Sequence, residues 1–537
     1  MSKQPTKDFL SYSNTGYFSE FICRYINQDP DLNQLYHRFP SLENFEAQIN
    51  EKGKSFDGKS RAVLAQVIAQ QYSKLKTSAS TANNIEALKK DTTFTVTTGH
   101  QLNLFTGPLY FLYKIVSTIN LTKTLKARFP DYNFVPVFWM ASEDHDFEEI
   151  NYFNFKGKKI QWNSNQEGAV GPFDTSGLNQ VFDIVSAEFG SGKNAEQLKS
   201  WFKEAYLGHE TLADATRYLA NELFGTYGLV VVDANDKALK QQFVPYLEKE
   251  LFDQIGFNTV TETNALLEKM GLKIQVNPRD INLFYIRKGL RERIVLNNDS
   301  YTVVNTEISW SKEELRHELH EHPECFSPNV IIRPLYQEVI LPNLCYIGGG
   351  GEMIYWLQLK SNFNAQKVPF PILLPRNSVL IKSNKQTEKL KKLDISSSDL
   401  FLERNTFINK RVRKISNIDI DFSEQINHLE QQFKDLYKLA EQTDKSFLGA
   451  VKAQEVKQIK GLQKLEKRLL KAQKRKLKDQ IERSTDLQEQ LFPNQGLQER
   501  SLNFSELYLE YGNDLVPVLL NSLEPLKLEF TVLEMPI

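Results

Sequence analysis

A β-α-β unit between residues 93 and 140 constrains this chain more than any other feature. Thr93-Phe94-Thr95-Val96-Thr97 is β-branched and aromatic, reads as a strand, and is ended by Gly99. Pro108 stands where a first helical turn can begin, because its missing N–H has no partner there to lose. Leu112, Ile115, Val116, Ile119 and Leu125 then share one helical face. Phe134-Val135-Pro136-Val137-Phe138-Trp139-Met140 is a second strand. Strand, crossover helix and strand imply parallel pairing with a right-handed crossover. Residues 228–233 form an apolar run without alternation, as expected of a strand covered on both faces. Val330-Ile331-Ile332 and Ile372-Leu373-Leu374 are further strand candidates. The expectation is an α/β, Rossmann-like parallel-sheet body over residues 91–376, with insertions around 150–225 and 270–325.

The flanks read differently. Residues 1–90 predict a helical lead-in, with Ala62-Val63-Leu64-Ala65-Gln66-Val67-Ile68 in helical rhythm. Residues 385–491 contain very few prolines or glycines. Ile426, Leu429, Phe433, Leu436 and Ala440 step by threes and fours, the spacing of a coiled-coil seam. A break at 446–449 precedes a second run from Val456 to Ile481. Together they predict an antiparallel coiled-coil arm, ended by Pro493 and Gly496. Residues 492–537 predict a helical segment, over 506–523, that packs back on the body.

At 537 residues the chain is too long for one core, so two or three domains are expected. A net charge of −1 gives no global attraction to nucleic acid or anionic membrane. Cys23, Cys325 and Cys345 are few and far apart, which argues against a disulfide framework. The first residues lack the apolar core of a signal peptide, and no apolar stretch nears the roughly 18 residues that span a bilayer. A cytoplasmic protein without membrane contact is expected.

Three places could carry chemistry. The loop from Gly99 to Pro108 joins a strand end to a helix start, where free N–H groups and the helix dipole favour an anion. It is neither a Walker loop nor GxGxxG. Its candidate residues are Gly99, His100, Gln101, Thr106 and Gly107; a plain structural turn is the alternative. Next, Glu143-Asp144-His145-Asp146 follows the second strand, at the end where open parallel sheets bind ligands. So many acids repel unless a cation intervenes, which a substrate ammonium or Mg²⁺ could provide, with His145 or Asp144 as base. An acidic first helical turn is the bland alternative. Third, the glycines at 348–351 precede Glu352 and a helical pattern, so Gly349, Gly350 and Glu352 are candidate anion-binding residues. Arg333 could clamp a carboxylate or phosphate bidentately, or serve a structural ion pair.

Two features point elsewhere. His317, His320, His322 and Cys325 are zinc-type residues, but their helical spacing scatters them, and no metal site or structural zinc is expected. Residues 452–478 hold eleven Lys or Arg against two Glu, a net of +9. RNA could bind there, as in an RNA-linked aminoacyl-transfer enzyme. No aromatics interleave, so a solvated helix face is preferred and nucleic acid is not expected. A non-catalytic scaffold remains a further alternative.

Taken together, GHQLNLFTGPLYFLYKI, VPVFWMASEDHDFEEI, FSPNVIIRPLYQE and YIGGGGE resemble the BshC family, the cysteine-adding enzymes of bacillithiol biosynthesis. FPNQGLQERSLNFSELYLEYG is similar to that family's C-terminal signature. The resemblance covers nearly the whole chain. One departure is His100, where the family more often carries Gln. The resemblance implies a Rossmann-like body with connecting-peptide insertions and a coiled coil used for homodimerisation. It implies addition of L-cysteine to glucosaminyl-malate, the last step of bacillithiol formation. Amide formation needs an activated carboxyl, so ATP or ADP is the expected nucleotide, with Arg500, Asn503 and Tyr511 as candidate contacts.

Overall fold

The computed structural model describes residues 5–536. The chain forms two compact units: Met1–Ile381 with Gln498–Ile537, and Lys382–Leu497.

At the centre of the first unit lies a five-stranded sheet. Its order is Ile372–Pro375, Asn343–Gly348, Thr93–His100, Asn133–Met140 and Val230–Asp233. Each neighbouring pair is parallel. Thr93 stands opposite Asn133 and His100 opposite Met140, joined through the helix Tyr110–Arg128. Helices cover both faces, so apolar burial runs continuously along these strands instead of alternating. The Rossmann-like reading therefore holds.

Several local expectations change. The helix begins at Tyr110, not at Pro108; Leu104–Thr106 forms a turn before it in which Phe105 and Thr106 have positive φ. Val330-Ile331-Ile332 is not a strand. The strand is Phe326–Pro328, and Asn329 Oδ1 then accepts the Ile331 N–H at 2.8 Å, turning the chain into the helix Arg333–Ile340. Arg333 thus opens a helix and does not end a strand. Asn343–Gly348, second in the sheet order, was not singled out from sequence, although Leu344-Cys345-Tyr346-Ile347 is a short buried apolar run.

The lead-in is not all helix. Thr6–Leu10 pairs antiparallel with Phe530–Glu534, so the two ends of the described chain share a sheet. Residues 150–225 hold the hairpin Tyr152–Phe155/Lys158–Gln161 and three helices, Leu178–Phe189, Lys193–Leu207 and Leu212–Phe224. The second insertion is an antiparallel sheet ordered Ser309–Trp310, Ser300–Val303, Leu290–Asn297, Leu283–Arg287, Phe326–Pro328.

In the second unit, Ser423–Ala440 packs on Lys445–Lys476, and Lys478–Leu491 follows. The break falls before Asp444, whose carboxylate accepts the N–H of Ser446 and Phe447; Gly449 lies inside the helix. The seam is built by Leu429, Phe433, Tyr437, Ala440 and Val451. Leu436, expected in it, is exposed. No helix among the described residues is long and apolar enough to cross a membrane.

Candidate active site

A cavity of about 310 Å³ opens at the carboxyl ends of three adjacent parallel strands. Gly99, His100 and Gln101 come from the first strand end, Trp139 and Ala141 from the second, and Tyr346 from the third. Tyr110 and Lys114 reach it from the crossover helix, and Arg333, Glu352 and Tyr355 from two others. Five of the sequence candidates therefore meet here: Gly99, His100, Gln101, Arg333 and Glu352. Lys114, Trp139, Tyr346 and Tyr355 were missed. Lys114 shares its helical face with Ser117 and Thr118, so its charge gave no distinct signal in the sequence.

Lys114 Nζ lies 2.6 Å from Glu352 Oε1 and donates to the Gly99 carbonyl at 2.6 Å. Glu352 also accepts from the Tyr346 hydroxyl at 2.7 Å and from the Gly349 N–H at 3.1 Å. Burial pushes the Glu352 carboxyl up, yet Lys114 and these donors hold it below its ordinary value. Burial pulls the Lys114 amine down despite its partner. Burial, then the Lys114 cation, push His100 down to about 3. His100 is therefore a neutral ring, packed against Tyr110 and Phe111.

Arg333 brings a second cation to the cavity. Its guanidinium donates to Gln337 Oε1 at 3.1 Å and to the Tyr355 hydroxyl at 3.4 Å. The rings of Trp139, Tyr346 and Trp356 surround it at 5.8–5.9 Å. Among the described residues no carboxylate lies within 4.0 Å of it.

The glycine run forms the wall of a second cavity of about 210 Å³. Gly349, Gly350 and Arg500 line this one, together with Arg376, Ser378 and Tyr12. Among the described residues, Arg376 and Arg500 are its charged lining residues. Arg376 Nη2 pairs with Glu499 Oε1 at 2.6 Å, while its Nε is buried without a partner. Both guanidiniums lie over the Tyr110 ring, at 5.0 and 6.0 Å, and Tyr110 also lines the first cavity. One reason for the glycines is packing: a Cβ on Gly348 would stand 3.0 Å from Glu352, Met353 and Tyr346.

The acidic turn flanks the first cavity without lining it. Gln101 links the two, its Nε2 donating to Asp144 Oδ2 and Glu149 Oε2, each at 3.0 Å. Glu143 pairs with Lys240, a buried amine that also donates to the Phe326 carbonyl. Arg291, from the inserted sheet, donates to His145 Nδ1 at 2.5 Å. The cation expected to relieve this cluster is thus supplied by the chain itself. The ligand atoms of Asp144, His145 and Asp146 lie within 4.8 Å of one another, but a guanidinium holds His145 Nδ1. That leaves the carboxylates of Asp144 and Asp146 beside a guanidinium, whose charge repels a divalent cation.

Other candidates have structural work. Phe105, Thr106 and Gly107 all have positive φ, and a Cβ on Gly107 would stand 2.6 Å from Asn103 Cβ. Thr106 and Gly107 line neither cavity described above. Asn503 is fully buried and donates to the carbonyls of Phe105 at 2.8 Å and Gly107 at 2.7 Å, so its amide clamps the loop and is not free for a nucleotide. Tyr511 also lies outside both cavities. In the zinc-like segment, His320 meets Glu248 at 3.1 Å and His322 meets Glu324 at 3.5 Å.

Residues 6–377 match the family profile described as the bacillithiol biosynthesis BshC N-terminal Rossmann-like domain, and residues 379–535 match the BshC C-terminal coiled-coil domain. A relative from Christiangramia forsetii, named "Putative cysteine ligase BshC", is 58% identical over 98% of this chain and 98% of its own. Proteins of the same name from Flavobacterium johnsoniae and Cytophaga hutchinsonii are 57% and 38% identical, over 98% and 96% of this chain and 99% and 96% of theirs. The solved structure of a "putative arginyl t-RNA synthetase" from Campylobacter jejuni is 11% identical and spans 80% of this chain and 91% of its own. Its TM-score of 0.22 is too low to bear on fold or function.

Proposed function

We propose, because the chain belongs to the BshC family of bacillithiol biosynthesis, that it joins L-cysteine to glucosaminyl-malate through an amide bond. Arg333 carries the reading. It is a guanidinium without a carboxylate partner among the described residues, framed by the rings of Trp139, Tyr346 and Trp356. The malyl carboxylate of the acceptor supplies what it lacks, in bidentate geometry.

The two cavities divide the work. The second, with Arg376 and Arg500 and the first N–H groups of the helix Gly350–Leu357, suits the phosphates of a nucleoside triphosphate. A nucleotide held there supplies the free energy of carboxyl activation. The chain's own residues do the rest. Arg333 holds the acceptor so that its neutral amine faces the activated cysteine carbonyl. The C–N bond forms, the activated C–O bond breaks with the phosphate or nucleoside monophosphate leaving with its electron pair, and the proton shed by the amine passes to Asp144, which Gln101 ties to the cavity. The Lys114–Glu352 pair holds two walls of the first cavity in place around the reacting groups.

The test is metabolic. A strain lacking the gene should lose bacillithiol and accumulate glucosaminyl-malate. The wild-type chain should reverse both, and Arg333→Ala should reverse neither. Full rescue by a folded R333A chain would refute the reading.

The helical unit is assigned to self-association, because Leu436, Leu439, Val456 and Leu465 stay exposed on its packed helices. Leu439→Glu should sediment as a monomer where the wild-type chain sediments as a dimer; an unchanged sedimentation coefficient would remove the assignment.

A further inference from the structure

We infer that Arg291 is a positioning residue that fixes the tautomer of His145, so that His145 meets ligands as an Nε2–H donor and not as a base. The inference rests on the ligase reading only for its place in catalysis.

A guanidinium has five donors and no acceptor. With Arg291 Nη1 2.5 Å from His145 Nδ1, that ring nitrogen must present its lone pair. The neutral imidazole then carries its proton on Nε2. Arg291 is itself held in place. Its guanidinium stacks 3.9 Å from the centroid of the Phe284 ring, and its Nε donates to Ser327 Oγ at 3.3 Å. Phe284 also packs against the His145 ring, 5.5 Å between centroids. An inserted sheet therefore delivers both a ring that seats the imidazole and a cation that orients it. Arg291 pairs across the sheet with Ile286, in the strand next to its own.

The charges around His145 compete. Asp144 Oδ1 lies 3.8 Å from Nδ1 and Asp146 Oδ1 lies 4.0 Å from Nε2, and both favour the imidazolium. Glu143 is occupied by Lys240, and Glu149 by Gln101. Arg291 is the cation bonded to the ring, and it opposes protonation. Without it the acids act unopposed, and either ring nitrogen can hold the proton. A base needs a free lone pair. Here the lone pair is taken, while Nε2–H is available to an oxygen that gains negative charge.

The test uses the full chain labelled with ¹⁵N-histidine, with His145 assigned from the spectrum of His145→Gln. In the wild-type chain at pH 7.5, His145 should show the shifts of the Nε2–H tautomer. Arg291→Ala should mix the tautomers. Arg291→Lys, whose ammonium donates and cannot accept, should keep the tautomer; it also serves if R291A fails to fold. A wild-type Nδ1–H tautomer, or an R291A chain whose tautomer is unchanged, would overturn the inference. R291A should also lower kcat with the KM for cysteine unchanged; a loss confined to KM would make Arg291 a binding residue instead. If the spectra behave as described but no variant or wild-type chain forms the amide, the ligase reading falls and the tautomer assignment stands.

Discussion

Lys114 and Glu352 form an ion pair at 2.6 Å in which the lysine side chain is 4% exposed and the glutamate 25%. One comes from the crossover helix and the other from the helix after the glycine run, so the pair locks two walls of the cavity together. Glu352→Gln leaves a buried ammonium without its counter-charge. Stability should fall by about 3 kcal/mol in urea unfolding. The Glu352 carboxyl is held below its ordinary value, so its stabilisation is present above the unfolded value near ~4.3 and is lost as pH falls through the folded one. That acid-side loss should be missing in E352Q. Equal stability of the two chains at pH 7 would show that the pair is not coupled to folding.

Burial and Lys114 set His100 at about 3, far below the ordinary imidazole. Between that value and ~6.5 the unfolded chain binds a proton that the folded chain refuses, so His100 should cost about 1.4 kcal/mol of stability per pH unit on acidification. His100→Gln should remove this slope and leave the pH–rate profile between 6 and 8 unchanged. A parallel stability curve for both chains from pH 6.5 to 4 would contradict a neutral, buried ring.

Arg333→Ala and Arg333→Lys should both weaken glucosaminyl-malate binding, by roughly 100-fold for Ala, since about 2–3 kcal/mol of charge-assisted bonding is lost. Lysine should rescue little, because a point charge cannot grip a carboxylate as a fork does. Calorimetric titration reads both; wild-type affinity in R333K would mean that only charge matters.

Gly107 has φ +63 and no room for a Cβ. Gly107→Ala should destabilise by at least about 2 kcal/mol and displace the loop that carries Gln101. An unchanged urea midpoint would show that the turn can relax.

Asn503→Ala removes two hydrogen bonds to the same loop and should lower stability by about 1–3 kcal/mol while leaving nucleotide affinity alone. A fall in affinity at unchanged stability would return Asn503 to the nucleotide site.

The sequence was legible where the physics is local. The strand at 93, its crossover helix and the strand ending at Met140 were read from residue type and period, because a sheet covered on both faces demands continuous apolar runs. It misled where a local signal competes with a turn. Val330-Ile331-Ile332 has strand composition, yet the Asn329 side chain captures the next amides and bends the chain instead. Leu436 fitted the heptad count, but Tyr437 reaches Glu455 at 2.6 Å and takes the inner side.

What the sequence alone determined is the architecture and the types of group available: a parallel sheet, a helical arm, and polar loops at strand ends. Those follow from near-neighbour periodicity, which a linear chain displays openly. Tertiary structure decided which groups meet. It split the glycine run from the His100 loop into two cavities, brought Lys114 to Glu352 from 238 residues away, and put Arg291 on His145 across 146. Contacts at such separations leave no periodic trace, because they depend on how whole elements pack and not on the spacing of residues along any one of them.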